Sequence, residues 1–204
     1  FSLGVLAAPH IDPGALSVLR FLLAGLLVGV AALATTGIPW SAFVAPWRYL
    51  VLGGLLAAYF VLMFEGLKTA PPVSAAAVFT LTPVMAAGFG WLFLRQRLTG
   101  RMAFALAVGG LGALWVIFRA DLAALRAMAI GRGEAIYFVG CVAHAAYAPL
   151  IRRLNRGEPA VVFTFGMMLA GTLLLAIYAW PAVLATDWAA LPGVVWVTLV
   201  YVAV

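Results

Sequence analysis

Seven long stretches of the chain contain no charged residue: 21–47, 49–64, 69–94, 102–118, 135–151, 159–186 and 188–204. Each reaches or approaches the roughly 20 residues that cross a hydrocarbon core of about 30 Å at about 1.5 Å of rise per residue. Apolar and polar positions nowhere alternate with a period of two over about ten residues, which removes a membrane β-barrel. The pattern predicts an all-α, polytopic membrane protein. Helices are expected over 1–8 (the end of a first helix), 13–34, 47–67, 72–94, 101–118, 133–154, 159–179 and 191–204.

The pattern also repeats. Asp12-Pro13 returns as Glu158-Pro159, Ala24-Gly25 as Ala170-Gly171 and Pro46 as Pro192, all at an offset of 146 residues. In both copies a Gly follows the Pro by 12 residues within an apolar helix. About five apolar segments fit one period, and an odd number of crossings turns the second copy upside down relative to the first. Inverted-topology repeats typify secondary transporters, whose substrate sites lie between the halves. The expected organisation is a first five-helix repeat over 1–118, a connector over 119–132 and a second repeat over 133–204. The offset aligns Phe1 with Tyr147 and Val204 with Ala58. It therefore implies a ten-helix parent with about eight helices at least partly present here. Within the connector, Asp121, Leu122, Leu125, Arg126 and Met128 suggest a short amphipathic helix on the outer surface.

Composition narrows the class further. With 67% hydrophobic and 9% charged residues the chain is no ordinary soluble domain. A net charge of +6 would suggest nucleic acid in a soluble protein. Here the basic residues flank apolar segments, so the expected partner is a bilayer with anionic headgroups and not nucleic acid. Arg48; Arg95, Arg97 and Arg101; and Arg152, Arg153 and Arg156 follow alternate helices, seven basic residues against one acid, Glu158. The opposite ends carry Lys68, Arg119, Arg126 and Arg132 against five acids, so the first set is expected in the cytoplasm. Eleven of the twelve basic residues are arginine, which fits a GC-rich bacterial genome and a cytoplasmic (inner) membrane. Cys141 stands alone, which excludes an internal disulfide and a thiolate metal cage, so no cofactor or metal is expected.

The stretch 64–118 carries Leu67-Lys68-Thr69 at a helix end, a mid-helix Pro83, an aliphatic-rich turn over 94–98, and Gly100 with the Gly-rich run 109–112. His144-Ala145-Ala146-Tyr147 followed by Arg152-Arg153, together with Arg20, completes the pattern. The chain resembles the EamA-type transporters of the drug/metabolite transporter superfamily over nearly its whole length. The resemblance implies two EamA-like repeats and movement of small metabolites, with amino acids and drug-like solutes among the known classes. One position departs: Gln96 stands where the family usually carries a glutamate, a carboxylate that any gating role there would need.

Candidate cavity residues fall in three places. Tyr137, Cys141, His144 and Tyr147 follow one another at steps of 4, 3 and 3, one helical face about 120° wide at about 100° per residue. Such groups have no use against lipid, so the face should point into the bundle or a water-filled cavity. His144 could hydrogen-bond a neighbouring helix, contact solute while neutral, or carry a proton. In the fourth helix, Ala76, Thr80, Pro83, Ala87 and Gly90 form a stripe of small residues suited to close helix approach. Pro83 denies the Phe79 carbonyl its N–H, so a kink is expected, with Thr80 and Thr82 beside it. Glu65 lies in the last turn of the third helix and either pairs with Lys68 or forms an outer cation or proton site. Arg20 either snorkels to the outer interface or anchors an anionic solute.

These readings predict a secondary transporter that moves small organic metabolites or drug-like solutes by alternating access, with export as the expected direction. The solute is expected to be apolar or amphipathic, since the candidate residues are mainly aromatic and hydroxyl-bearing. A homodimer is left open. The alternatives are a non-transporting membrane binding or assembly component and an intramembrane enzyme. For the latter, His144 and Cys141 lack a paired acid or metal motif, and no enzyme is expected.

Overall fold

The computed structural model describes residues 2–121 and 130–203, and all regular structure there is helical. The helices are α1 (Ser2–Ala7), α2 (Pro13–Thr35), α3 (Trp47–Leu67), α4 (Pro72–Phe79), α5 (Thr82–Leu94), α6 (Gly100–Ile117), α7 (Arg132–Leu154), α8 (Ala160–Tyr178), α9 (Trp180–Ala185) and α10 (Gly193–Ala203). A 3₁₀ turn spans Trp40–Phe43. Six spans are long and apolar enough to cross a membrane: α2, α3, α4 with α5, α6, α7 and α8.

Local chemistry sets the ends. The Asp12 carboxylate accepts from the N–H of Gly14 at 2.8 Å and Ala15 at 3.1 Å, and Pro13 fills the first helical position of α2. Thr99 caps α6 by accepting from Met102 N–H at 3.3 Å. At the end of α5, Arg95 turns into the left-handed region at φ 52°, and Gln96 N–H closes onto the Gly90 carbonyl at 3.2 Å.

The span 72–94 is two helices instead of the one kinked helix expected. α4 ends at Phe79, Thr80 and Leu81 form a turn, and α5 starts at Thr82. Pro83 offers no N–H to the Phe79 carbonyl, and the tight Leu81 N–H to Val78 O bond (3.1 Å) and Val84 N–H to Leu81 O bond (3.1 Å) replace the regular ladder. The expected connector helix falls largely on 122–129, outside the described residues.

α3 sits at the centre, packed along α7 and α8, while α2 lies along α8 and α5 along α7. Two glycine contacts let the backbones meet. A Cβ on Gly53 of α3 would lie 2.6 Å from Gly171 N of α8, and one on Gly66 would lie 2.7 Å from Gly133 O of α7. The packing follows the 146-residue offset, which maps α2 onto α8, α3 onto α10 and α1 onto the later part of α7. The contacts of α3 with α7 and α8 recur as contacts of α10 with α1 and α2. The α2–α8 contact maps onto itself, as an approximate twofold relation requires.

Candidate functional site

The polar face of α7 turns inward. Tyr137 and Cys141 are fully buried, and His144 and Tyr147 are half-buried one and two turns further on. α3 meets this face with Tyr59, whose hydroxyl lies 3.2 Å from that of Tyr137. The Tyr59 ring also stands 4.5 Å from the His144 ring, centroid to centroid. Phe79, the last residue of α4, closes the far side at 5.8 Å from His144, and Tyr147 lies 6.0 Å away. Tyr147 directs its hydroxyl to the Met167 sulfur of α8 at 3.7 Å. Thr82, just past the break between α4 and α5, is buried beside the Cys141 thiol. Among the described residues, its Oγ1 and the buried His144 Nδ1 find no hydrogen-bond partner of ordinary geometry.

The structure thus brings Tyr137, Cys141, His144, Tyr147 and Thr82 into one cluster. Thr80, Pro83 and Glu65 stand apart from it. Thr80 is exposed and donates to its own helix at Ala77 O, 2.6 Å away. Pro83 is exposed as well. Glu65 pairs with Lys68 at 2.6 Å near the end of α3, both partly open to solvent.

Three contributors escaped the sequence reading: Tyr59, Phe60 and Phe79. Tyr59 is a hydroxyl-bearing residue within an uncharged run, which was the available signal. Arg20 does not snorkel to the helix end. Its guanidinium carbon sits 3.4 Å from the centroid of the Phe60 ring. That ring packs edge-on against Phe21 at 5.9 Å and against Tyr59 at 4.7 Å, and Arg20 lies within electrostatic reach of Tyr59.

A second polar centre ties the end of the bundle where α3 begins and α7 ends. Arg48, in the first turn of α3, is only 2% exposed. It donates to Glu158 Oε1 at 2.6 Å, Leu154 O at 2.7 Å, Ala42 O at 3.2 Å and Ala45 O at 3.3 Å. A turn delivers the carboxylate: Gly157 adopts φ +99°, and Asn155 Oδ1 accepts its N–H at 2.7 Å. Burial pushes the Glu158 carboxyl up. The Arg48 hydrogen bond, backbone N–H donors including Arg156, and the Arg48 charge outweigh that and hold it down at about 2. Arg48 is therefore a structural link from α3 to the end of α7 and the turn before α8, where the sequence suggested only a topological charge.

The cluster offers aromatic surface, hydroxyls, an imidazole and a guanidinium within the membrane-crossing part of the bundle. Among the described residues no three His, Cys, Asp or Glu side chains come together to hold a metal. A groove of about 970 Å³ between α5 and α6 is separate, lined mainly by aliphatic residues with Trp91, Gln96 and Arg97.

Residues 2–118 match the EamA-like transporter family. The chain belongs to this family. The uncharacterized transporter YyaM of Bacillus subtilis (strain 168) is 27% identical over 180 residues, covering 87% of this chain. The chain spans 59% of that relative's length. A solved crystal structure of a protein superposes on 99% of this chain and 68% of its own, with a TM-score of 0.64 and 24% identity. That likeness concerns the fold alone. Family membership and the six apolar spans make this EamA-like chain an integral, multi-pass membrane protein of a transporter family.

Proposed function

We propose that this EamA-like chain forms most of a secondary carrier that moves small, amphipathic organic solutes across a bacterial inner membrane. The cluster of Tyr59, Tyr137, His144 and Tyr147 between α3 and α7 carries the reading. Polar side chains inside a membrane bundle are costly, and they mark solute or ion pathways. The halves 1–118 and 133–204, joined by 119–132, are the units that would rock about this cluster. The recurring contacts of α3 and α10 support that division. The Arg48–Glu158 tie supports reading this state as closed toward the cytoplasm. Export is the proposed direction of net movement. That His144 Nδ1 has no hydrogen-bond partner among the described residues favours direct solute contact over a purely structural imidazole.

Solute flux tests this in proteoliposomes holding the full-length protein. Efflux or counterflow of an amphipathic organic solute above that of empty vesicles is expected. Specific binding without flux across a broad solute panel would instead favour a non-transporting binding component.

A further inference from the structure

The break at Thr80–Leu81 separates α5 from α6. α6 packs chiefly on α4 and touches α5 little, because past the break α5 runs along α7. Val84 still meets α6, with its Cγ2 3.7 Å from the position of a Cβ on Gly110. One turn further on, nothing lies within 4 Å of a Cβ on Gly88. The groove of about 970 Å³ opens there, lined by residues 84–91 of α5 and 103–114 of α6. From Ala103 to Leu114 is eleven residues, about 16 Å of helix, close to a hydrocarbon half-thickness of about 15 Å. α6 also exposes Phe104 and Leu111, so the groove lies on a face that lipid chains can reach.

Charge is confined to one end of this groove. Gln96 and Arg97 line it just past α5, and Arg95 and Arg101 flank them in sequence. No Asp or Glu occurs between Glu65 and Asp121. Arg153 joins the end of α7 to the same place, donating to Phe93 O at 3.2 Å, and Glu158 beyond it is engaged by Arg48. Trp91, 64% exposed and three residues before the end of α5, carries the kind of ring that settles at headgroup level. An aliphatic trough one leaflet deep, with arginine and no acid at its mouth, complements a molecule that joins a phosphate to a hydrocarbon chain. The planar fork of an arginine suits phosphate oxygens. We propose that the α5–α6 groove binds an anionic phospholipid, with its phosphate at Arg97 and an acyl chain between the two helices. The neutral amide of Gln96 leaves that phosphate unopposed, where a carboxylate would repel it. This site is separate from the Tyr59–His144 cluster and does not rest on the carrier reading.

The test is native mass spectrometry of the full-length protein in detergent, titrated with phosphatidylglycerol or phosphatidylcholine carrying the same palmitoyl and oleoyl chains. Phosphatidylglycerol is expected to bind more tightly by about fivefold or more, the worth of one arginine near an anionic headgroup. Arg97→Gln and Gln96→Glu should each remove that preference. Arg156→Gln, the same loss of charge at an exposed position outside the groove, should leave it intact. Gly88→Leu fills the groove from α5 and should weaken binding of both lipids, and Ala107→Leu does the same from α6 should the first variant not fold. Equal affinity for the two lipids overturns the proposal, as does a preference that survives in Arg97→Gln or falls equally in Arg156→Gln. Undiminished binding in the filling variants overturns it as well, and would mean that another protein segment or a second copy covers the groove.

Discussion

Arg48 and Glu158, 110 residues apart in sequence, hold a 2.6 Å ion pair that joins the first turn of α3 to the turn before α8. The offset makes Glu158 the counterpart of Asp12, yet the two act differently. Asp12 caps its own helix, whereas Glu158 is turned to an arginine of α3. The position equivalent to Arg48 is Val194, which cannot form a matching ion pair.

Removing one member of a buried pair leaves the other uncompensated, at a cost of about 3 kcal/mol or more. Glu158→Ala is expected to lower the thermal unfolding midpoint markedly, and Arg48→Met with Glu158→Leu together to recover much of the loss. The pH dependence has a definite sign. The folded carboxyl is depressed to about 2 from the usual 4.5, so its stabilisation is complete above 4.5 and disappears as pH falls toward 2. Unfolding curves recorded between pH 5 and pH 2, as chosen conditions about that window, should show a steeper decline in the parent than in Glu158→Gln. Parallel declines would sink this account.

The Tyr59–Tyr137 hydroxyl pair at 3.2 Å is buried from both sides. Each Tyr→Phe change should destabilise by about 1 kcal/mol, and the double change by less than the sum, because both changes remove the same hydroxyl–hydroxyl bond. Additive losses in a double-mutant cycle would mean that the two hydroxyls do not depend on each other.

Gly53 meets Gly171 backbone to backbone, while Gly109 has nothing within 4 Å of its would-be Cβ. Gly53→Ala is therefore expected to destabilise by about 1–3 kcal/mol through overpacking. Gly109→Ala should gain up to about 1 kcal/mol of helix propensity. The comparison reads directly from unfolding midpoints and folded yield. Equal behaviour of the two variants would contradict the α3–α8 contact.

Much of this fold was legible because uncharged runs map simply onto spans. α3 occupies 47–67 as the pattern predicts, and α7 begins one residue earlier than expected. The inward face of α7 was legible because its polar groups share one side of the helix. The break at Thr80–Leu81 was not, since small residues keep helical spacing straight through it while Pro83 removes one backbone donor. Arg48 looked like any helix-end arginine, because its partner comes from 110 residues further on through a turn at Gly157. Arg20 could turn outward or inward on sequence grounds, and only the Phe60 ring across from it decides. Distant partners set these orientations, and periodicity carries no record of them.

His144 and Cys141 give the sharpest check on how the cluster works. Cys141 is fully buried behind Tyr137 and Thr82 in this state. A small water-soluble thiol reagent should therefore leave it unmodified while the bundle is closed and reach it only when a solute gradient drives turnover. His144→Gln keeps a hydrogen-bonding side chain but loses the ring that faces Tyr59 and Phe79. If the imidazole contacts solute, His144→Gln should lower flux about tenfold or more at unchanged yield and unfolding midpoint, corresponding to about 1.4 kcal/mol of lost interaction. Matching falls in yield and flux would instead make the imidazole a packing element between α3, α4 and α7. Turnover-dependent labelling with normal flux in His144→Gln would move the solute contact outward, toward Tyr59 and Arg20.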